Sequence, residues 1–205
     1  MITRLRASVL RQLSHPRGRG GRVIAAAMNR GNRGLNARAI ELLDVQPGSR
    51  VLDLGFGGGL TFAPLLERAA SVTGVDRAED MVTAAGARHA EAVAAGRLHL
   101  HVGEVLDLPL EARSVDRVIT VNTIYFWPDL PAALAELRRV LAPGGRLVVG
   151  IRDGSVMEQV TPDLFTLRTP DVLAQALTDA GFDAVQIVTA PDGKSHLLTA
   201  TSPPG

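Results

Sequence analysis

The sequence predicts an α/β fold, a single doubly wound, Rossmann-like sheet with helices on both faces. Three observations carry this prediction. Short β-rich runs alternate with helical patterns from about residue 45 onwards, as is typical of parallel sheets. A glycine-rich loop, 55–59, directly follows the first of these runs. A chain of 205 residues is long enough for one buried core and short for two.

Seven runs rich in aliphatic and β-branched residues predict the strands. Five are expected in the parallel part of the sheet: Arg50–Leu54, Ser71–Val75, Leu98–Val102, Asp116–Val121 and Arg146–Ile151. The last two, Asp183–Thr189 and Ser195–Thr201, flank a short turn containing Asp192-Gly193. Such a turn predicts an antiparallel hairpin.

The segments around these strands carry helical signals. Helices are predicted over Ala37–Leu43, through Leu60, Leu65 and Leu66, over Ala78–Ala95, after Asp129 and after Thr169-Pro170. Aspartate is a favourable N-cap, and proline is favourable at the first helical position. Pro143-Gly144-Gly145 is expected to separate the helix after Asp129 from the fifth strand.

Composition excludes several classes of site. The chain has no cysteine, so disulfides, thiolate nucleophiles and thiolate metal centres are excluded, and no metal site is predicted. A reducing cytoplasm is the simplest location for such a chain. No apolar run approaches the roughly 18 residues that a membrane span needs.

Charge is distributed unevenly although the formal net charge is only +1. No acidic residue precedes Glu41, whereas arginine recurs throughout that stretch. We therefore expect a basic, helical arm or lid over 1–44, packed as part of the same domain as the binding region 45–205. The arm is suited to nucleic acid, an anionic substrate or a membrane surface. Compositional bias is the simpler interpretation, because all but one of the 22 basic residues are arginine.

Acidic residues at two strand ends indicate what the glycine loop binds. Asp53 lies two residues before Gly55, where a carboxylate would repel a pyrophosphate but could hold an ammonium group. Asp76 ends the second strand, where a carboxylate can accept hydrogen bonds from both hydroxyls of a ribose. The helix that should follow the loop would favour a carboxylate at its N-terminus. Together these features match S-adenosylmethionine, although either acid alone could be an ordinary turn residue.

Five segments extend this match to a known family. They are Val51–Gly59, Gly74–Asp76, Gly103–Leu110, Val115–Val118 and Leu137–Leu147. In order and spacing they resemble the motifs of class I S-adenosylmethionine-dependent methyltransferases, and the resemblance covers about residues 45 to 200. It implies a seven-stranded sheet of order 3-2-1-4-5-7-6 in which strand seven is antiparallel.

The resemblance also implies a set of cofactor-binding residues. These are Asp53, Gly55, Phe56, Gly57, Asp76, Arg77, Met81, Glu104, Val105 and Asn122. Asp76 would hold the ribose, and Met81 would flank the adenine. Glu104 departs from the family pattern, which more often has aspartate there, so either its carboxylate or the Val105 backbone would face the adenine amine.

An aromatic segment after the fourth strand is expected on the acceptor side. Tyr125-Phe126-Trp127 contains the only tyrosine and the only tryptophan of the chain. In the resembled fold this segment lies under the methyl group. We therefore expect Tyr125 to act in catalysis or acceptor binding and Trp127 to bind the acceptor, whereas simple packing is the alternative. The asparagine-rich stretch 29–36, with Asn29 and Asn32, suits a lid over the acceptor and equally suits an ordinary turn.

The expected activity is methyl transfer from S-adenosylmethionine to a small-molecule acceptor by in-line displacement, which depends mainly on positioning. His15, His101 and Glu158 are isolated candidates for a general base. One alternative is an RNA methyltransferase that uses the basic arm, and another is a cofactor-binding protein without catalysis. A nicotinamide-dependent oxidoreductase is disfavoured because Leu60 stands where the third dinucleotide-binding glycine is expected. The oligomeric state is left open.

Overall fold

The computed structural model describes residues 32–152 and 168–205. Its strands are β1 (Arg50–Leu54), β2 (Ser71–Asp76), β3 (Leu98–Val102), β4 (Val115–Val121), β5 (Leu141–Arg152), β6 (Asp183–Thr189) and β7 (Ser195–Thr201). They form one seven-stranded sheet of order β3-β2-β1-β4-β5-β7-β6. Neighbouring strands from β3 to β5 are parallel, and β7 is antiparallel to both β5 and β6. The predicted fold class, strand order and strand directions are confirmed.

Helices cover both faces of this sheet. They are α1 over 32–43, α2 (Phe62–Leu66), α3 (Glu79–Arg88), α4 (Ala90–Ala94), α5 (Leu130–Val140) and α6 (Pro170–Asp179). Apolar residues of α1, α2 and α3 share one buried cluster with the sheet, and those of α5 and α6 share a second. Strand β1 is buried at every position after Arg50, as expected of a central strand covered on both sides.

Capping residues mark where helices α5 and α6 begin. The Asp129 side chain accepts a hydrogen bond from the Ala132 N–H at 2.9 Å, and the Thr169 hydroxyl accepts from the Val172 N–H at 3.3 Å. These bonds satisfy backbone donors that the first turn of a helix leaves unpaired. Within the described ranges, none of the helices has the length and apolar character that crossing a bilayer requires.

The structure corrects three predicted elements. The helix expected over Ala78–Ala95 is interrupted at His89, whose backbone leaves helical geometry (φ −113°, ψ 32°) and whose ring packs edge-on against Phe62. The helix after the glycine loop has only five residues, too few for an appreciable helix dipole. Strand β5 begins at Leu141, because Leu141 pairs with Val115 before the register shifts around the Pro143-Gly144-Gly145 turn.

Candidate functional site

A pocket opens at the carboxyl ends of β1, β2 and β4. At this place, between β1 and β4, successive strands switch from being added on one side of β1 to being added on the other. Open α/β sheets bind their ligands at this place. The structure brings all ten residues expected to bind the cofactor to the lining of this one pocket: Asp53, Gly55, Phe56, Gly57, Asp76, Arg77, Met81, Glu104, Val105 and Asn122. The sequence places them in four separate segments, so their convergence is a product of the fold.

The glycine loop, residues 55–59, forms one wall of the pocket in a conformation that suits glycine. Gly55, Gly57 and Gly59 all have left-handed backbones, with φ values of 71°, 51° and 65°. A side chain at Gly55 would collide with Thr123, whereas a Cβ at Gly57 would meet nothing within 4 Å. Gly57 is itself one of the residues that line the pocket. The missing side chain therefore leaves room for a ligand against the backbone.

Asp76 is a buried carboxylate that the backbone holds in place. Its side chain accepts hydrogen bonds from the N–H groups of Gly57 at 2.8 Å and Ala78 at 2.9 Å. The first of these bonds ties the carboxylate to the glycine loop. A carboxylate can accept about four hydrogen bonds, so this one can receive ribose hydroxyls in addition to the donors that orient it.

Asp53 is the second buried carboxylate of the pocket, with 3% of its surface exposed. The pKa of this carboxyl is raised from 3.8 to about 7. Burial is the largest cause, the hydrogen bond donated by the Thr61 hydroxyl lowers the pKa, and the nearby charge of Asp76 raises it. Loss of hydration is what penalises the charged form. A cationic group in the pocket would stabilise the ionised form of Asp53.

The side of the pocket expected to face adenine is mainly apolar. Met81 and Val105 are both buried, and they line the cavity together with Glu104. Glu104 is exposed to solvent. Glu104, which is one methylene longer than aspartate, thus stands at the solvent-exposed edge of the pocket.

Residues after β4 and residues from α1 form the side of the pocket opposite the expected adenine side. Asn122 adopts a left-handed backbone with φ 58°, a conformation that asparagine tolerates better than most residues. Trp127 lines the pocket and is 5% exposed, and Asn32 lines it from α1. The Phe126 ring carries the Arg77 guanidinium at 4.9 Å from its centroid. This cation–π contact joins the end of β2 to the segment after β4 across the end of β1.

Tyr125 packs beside the pocket and does not line it. It is 4% exposed and is not among the lining residues. Its hydroxyl accepts a hydrogen bond from the Arg152 N–H at 2.6 Å and donates one to the Arg152 carbonyl at 3.0 Å. These bonds to the last residue of β5 explain why the ring turns inward. The hydroxyl also lies 3.5 Å from Oδ1 of the pocket-lining Asn122, and the role of Tyr125 towards the acceptor stays a prediction.

Other candidates lie elsewhere or outside the described residues. Asn29, His15 and Glu158 fall outside the ranges 32–152 and 168–205. His101 is part of β3 and does not line the pocket. In the part of the chain that the structure describes, no group of three or more histidine, cysteine, aspartate or glutamate residues could hold a metal ion.

Sequence reasoning missed several lining residues. Thr61 lies beside Asp53, and Gly58 and Thr123 also line the cavity. Asn36 lines it as well, and it belongs to the asparagine-rich stretch 29–36 that was predicted for the acceptor side. Thr61 carried no recognisable signal in the sequence. Its hydroxyl reaches Asp53 only because the folded loop brings it back to β1, which ends seven residues earlier.

The fold and the pocket together define a class of protein. A doubly wound sheet whose central strands end at a glycine loop and two buried carboxylates is a Rossmann-like domain built to hold a nucleoside. The carboxylate of Asp53 in the floor of the pocket favours a ligand with a positive charge over one with a pyrophosphate.

Comparison with known proteins narrows the class to a family. A family described as "Methyltransferase domain" matches residues 52–149. Nocamycin O-methyltransferase of Saccharothrix syringae is 32% identical over 155 residues, which cover 67% of this chain and 55% of the relative. A 37.1 kDa uncharacterized protein in transposon TN4556 of Streptomyces fradiae is 34% identical over 167 residues, covering 73% and 48%.

A solved structure agrees at the level of the fold. The S-adenosylmethionine-dependent methyltransferase of Aquifex aeolicus superposes with a TM-score of 0.71 at 19% identity and covers 95% of this chain and 97% of its own. Residues 52–149 belong to this methyltransferase-domain family, and the fold is that of a solved S-adenosylmethionine-dependent methyltransferase. The chain spans about half the length of the two curated relatives described above.

Proposed function

We propose that this chain transfers a methyl group from S-adenosylmethionine to a small-molecule acceptor by in-line displacement. The observation that carries the proposal is the meeting of Asp53, Asp76 and the glycine loop in one pocket. An acid suited to an ammonium group, an acid suited to a ribose and an open backbone wall are complementary to the two ends of this cofactor.

The residues present fit such a ligand. Asp76 is already oriented by two backbone donors and would take the ribose hydroxyls. The Asp53 carboxyl is buried, and a cation beside it would offset the burial that disfavours its ionisation. Gly57 leaves open space at its Cβ position, where the methionine portion would lie against the loop.

The chain's own residues would contribute mainly position and desolvation. When bound, S-adenosylmethionine supplies a methyl group on a sulfonium that is already activated for departure. Asp53 and Asp76 would fix its two ends, and the wall formed by Phe126 and Trp127 would limit the approach of the acceptor. Alignment of reacting groups alone can contribute about 7–11 kcal/mol to lowering a barrier.

Two considerations favour a small acceptor that is methylated on oxygen. Curated relatives carry the name O-methyltransferase. Asparagine, threonine and aromatic side chains form the described acceptor wall, and these groups suit an uncharged organic molecule better than a phosphate backbone. Residues 1–31, which are most of the predicted basic arm 1–44, lie outside the described residues.

Cofactor binding is the first test. Calorimetric titration with S-adenosylmethionine should show saturable binding, whereas NAD should not bind. Asp76→Ala should weaken S-adenosylmethionine by about 2–3 kcal/mol, the scale of charge-assisted hydrogen bonds. Asp171→Ala, an exposed acid at the start of α6, serves as the control and should bind normally. Unchanged affinity in folded Asp76→Ala would refute the assignment.

Transfer is the second test. The protein is incubated with methyl-labelled S-adenosylmethionine and either a panel of hydroxylated small molecules or total RNA. Label in a small-molecule product, identified by mass spectrometry, supports the proposal. Label in RNA would establish the RNA alternative, and tight cofactor binding without transfer to any acceptor would favour a non-catalytic cofactor-binding protein.

A further inference from the structure

The glycine loop needs partners to hold its conformation. Left-handed backbone angles at alternate positions are accessible to glycine, but glycine also has the most conformational freedom to lose. A loop that is already ordered before the ligand arrives spends less of the binding free energy on ordering. The contacts that fix the loop therefore contribute to cofactor affinity although they do not touch the cofactor.

Backbone and carboxylate acceptors fix the N–H groups of the loop. Gly55 donates to the Val75 carbonyl at 2.7 Å, Gly57 donates to Asp76 at 2.8 Å, and Gly59 donates to the Phe56 carbonyl at 2.8 Å. The peptide between Gly58 and Gly59 is held at both of its polar groups, because the Gly59 N–H bonds the Phe56 carbonyl and the Gly58 carbonyl oxygen remains as an acceptor. That oxygen accepts a hydrogen bond from Arg88.

Arg88 reaches the loop from the end of helix α3. Its guanidinium Nη1 donates to the Gly58 carbonyl at 2.6 Å. A charged donor makes this bond stronger than a neutral one. Gly58 lines the pocket, so the bond acts on the wall that would face the ligand, from the side away from it.

Packing beneath the loop sets the position of Arg88. Helix α3 ends at Arg88 because the backbone leaves helical geometry at His89. The His89 ring meets the Phe62 ring edge-on, with centroids 5.6 Å apart and planes at 84°. Phe62 in turn fills the space where a Cβ on Gly59 or Gly74 would lie. The interruption of the helix therefore anchors the Arg88 end of α3 against the base of the loop.

We propose that Arg88 is a positioning residue that holds the glycine loop ready for the cofactor through the Gly58 carbonyl. The proposal rests on the proposed function in taking S-adenosylmethionine as the ligand. Arg88 is exposed to solvent, so its replacement should affect the loop much more than the stability of the core.

The test compares Arg88→Gln with Arg97→Gln. Arg97 is also an exposed arginine that donates to backbone carbonyls, at 3.0 Å to Ala69 and also to Leu66, but it does not line the pocket or contact the loop. We expect Arg88→Gln to raise the calorimetric Kd for S-adenosylmethionine roughly fivefold, the effect of losing one modest hydrogen bond. Arg97→Gln should bind like the wild type, and Arg88→Lys should recover part of the affinity.

A second measurement separates this inference from the proposed function. Hydrogen exchange of the amides of residues 57–59, measured without ligand, should be faster in Arg88→Gln than in the wild type and unchanged in Arg97→Gln. Because no ligand is involved, this result decides the role of Arg88 even if the wild type binds no S-adenosylmethionine. Unchanged exchange in Arg88→Gln, or equally faster exchange in both variants, would overturn the proposal.

Discussion

The two halves of the pocket follow from the sequence to different degrees. On the half formed by the ends of β1 and β2, every residue expected from the motifs lines the cavity. On the half formed by the segment between β4 and α5, Trp127 lines the cavity. Tyr125, from the same segment, is buried in the core and does not line it. Candidate residues could be recognised from sequence on both halves. Only on the first half did the position of a residue in the chain also predict that it lines the cavity.

The difference lies in the backbone that carries each half. Asp53 and Asp76 occupy neighbouring parallel strands, and Asp53 pairs with Gly74, two residues before Asp76. Regular strands fix which residues reach the edge of the sheet. Tyr125 lies instead in a 3₁₀ turn, Ile124–Phe126, that follows the left-handed Asn122. Consecutive side chains of such a turn point in divergent directions, and packing selects among them.

The largest expected effect is on the regular half, at Gly57. Gly57→Val would place a branched side chain in the space left open along the loop, and it would also impose left-handed strain on a β-branched residue. We expect S-adenosylmethionine binding to weaken by roughly a hundredfold or more, equivalent to about 2.7 kcal/mol. Isothermal titration calorimetry measures this directly.

Gly193→Val is a control that separates backbone strain from the loss of space along the glycine loop. Gly193 has a similar backbone, with φ 64°, and a Cβ at this position would likewise meet nothing within 4 Å, but the residue lies in the β6–β7 turn. This variant should lose stability to a similar extent and bind the cofactor normally. Normal binding by a folded Gly57→Val protein would mean that the loop has only a structural role.

An intermediate effect is expected from the titration of Asp53. Its pKa of about 7 lies above its ordinary value of 3.8, so the protonated acid predominates in the empty pocket below pH 7. A ligand ammonium group prefers the carboxylate, and its binding should therefore strengthen by about tenfold between pH 5.5 and 7 and level off above that. Calorimetry across this range would measure the rise.

In the ligand-free protein, the raised pKa of Asp53 has the opposite effect, on the free energy of unfolding. Because the folded state binds the Asp53 proton more tightly than the unfolded state, the contribution of this group to the free energy of unfolding should fall as pH rises from about 4 to 7. Asp53→Asn should remove both pH dependences. A pH-independent affinity in the wild type would show that Asp53 does not meet the ammonium group.

The smallest expected effect concerns the irregular half. Tyr125→Phe removes the hydroxyl that bonds the Arg152 backbone and should lower the free energy of unfolding by about 1–2 kcal/mol. Because Trp127 is the only tryptophan, its fluorescence reports on the adjacent pocket wall. We expect a shifted emission maximum and faster quenching by acrylamide, with cofactor affinity unchanged.

Thr201→Val is a suitable control for this variant. It removes a hydroxyl that donates to the Asp183 carbonyl at 3.3 Å between β6 and β7, and it should leave Trp127 emission unaltered. If Tyr125→Phe kept the wild-type emission and stability but lost turnover, the hydroxyl would act on the acceptor directly, and the two halves of the pocket would be equally predictable from sequence.

The sequence by itself determined the strands and the residues at the carboxyl ends of the central ones, and the resemblance of its motifs to a known family added the strand order. Hydrophobic runs, turn residues and motif spacing are local properties, and a parallel sheet converts them into position with little ambiguity. The tertiary structure alone decided the direction of Tyr125, the break at His89 and the return of Thr61 to Asp53. The first two depend on contacts with Arg152 and Phe62, which are distant in sequence, and there packing overrides local preference. The third depends on the path of the loop between β1 and α2.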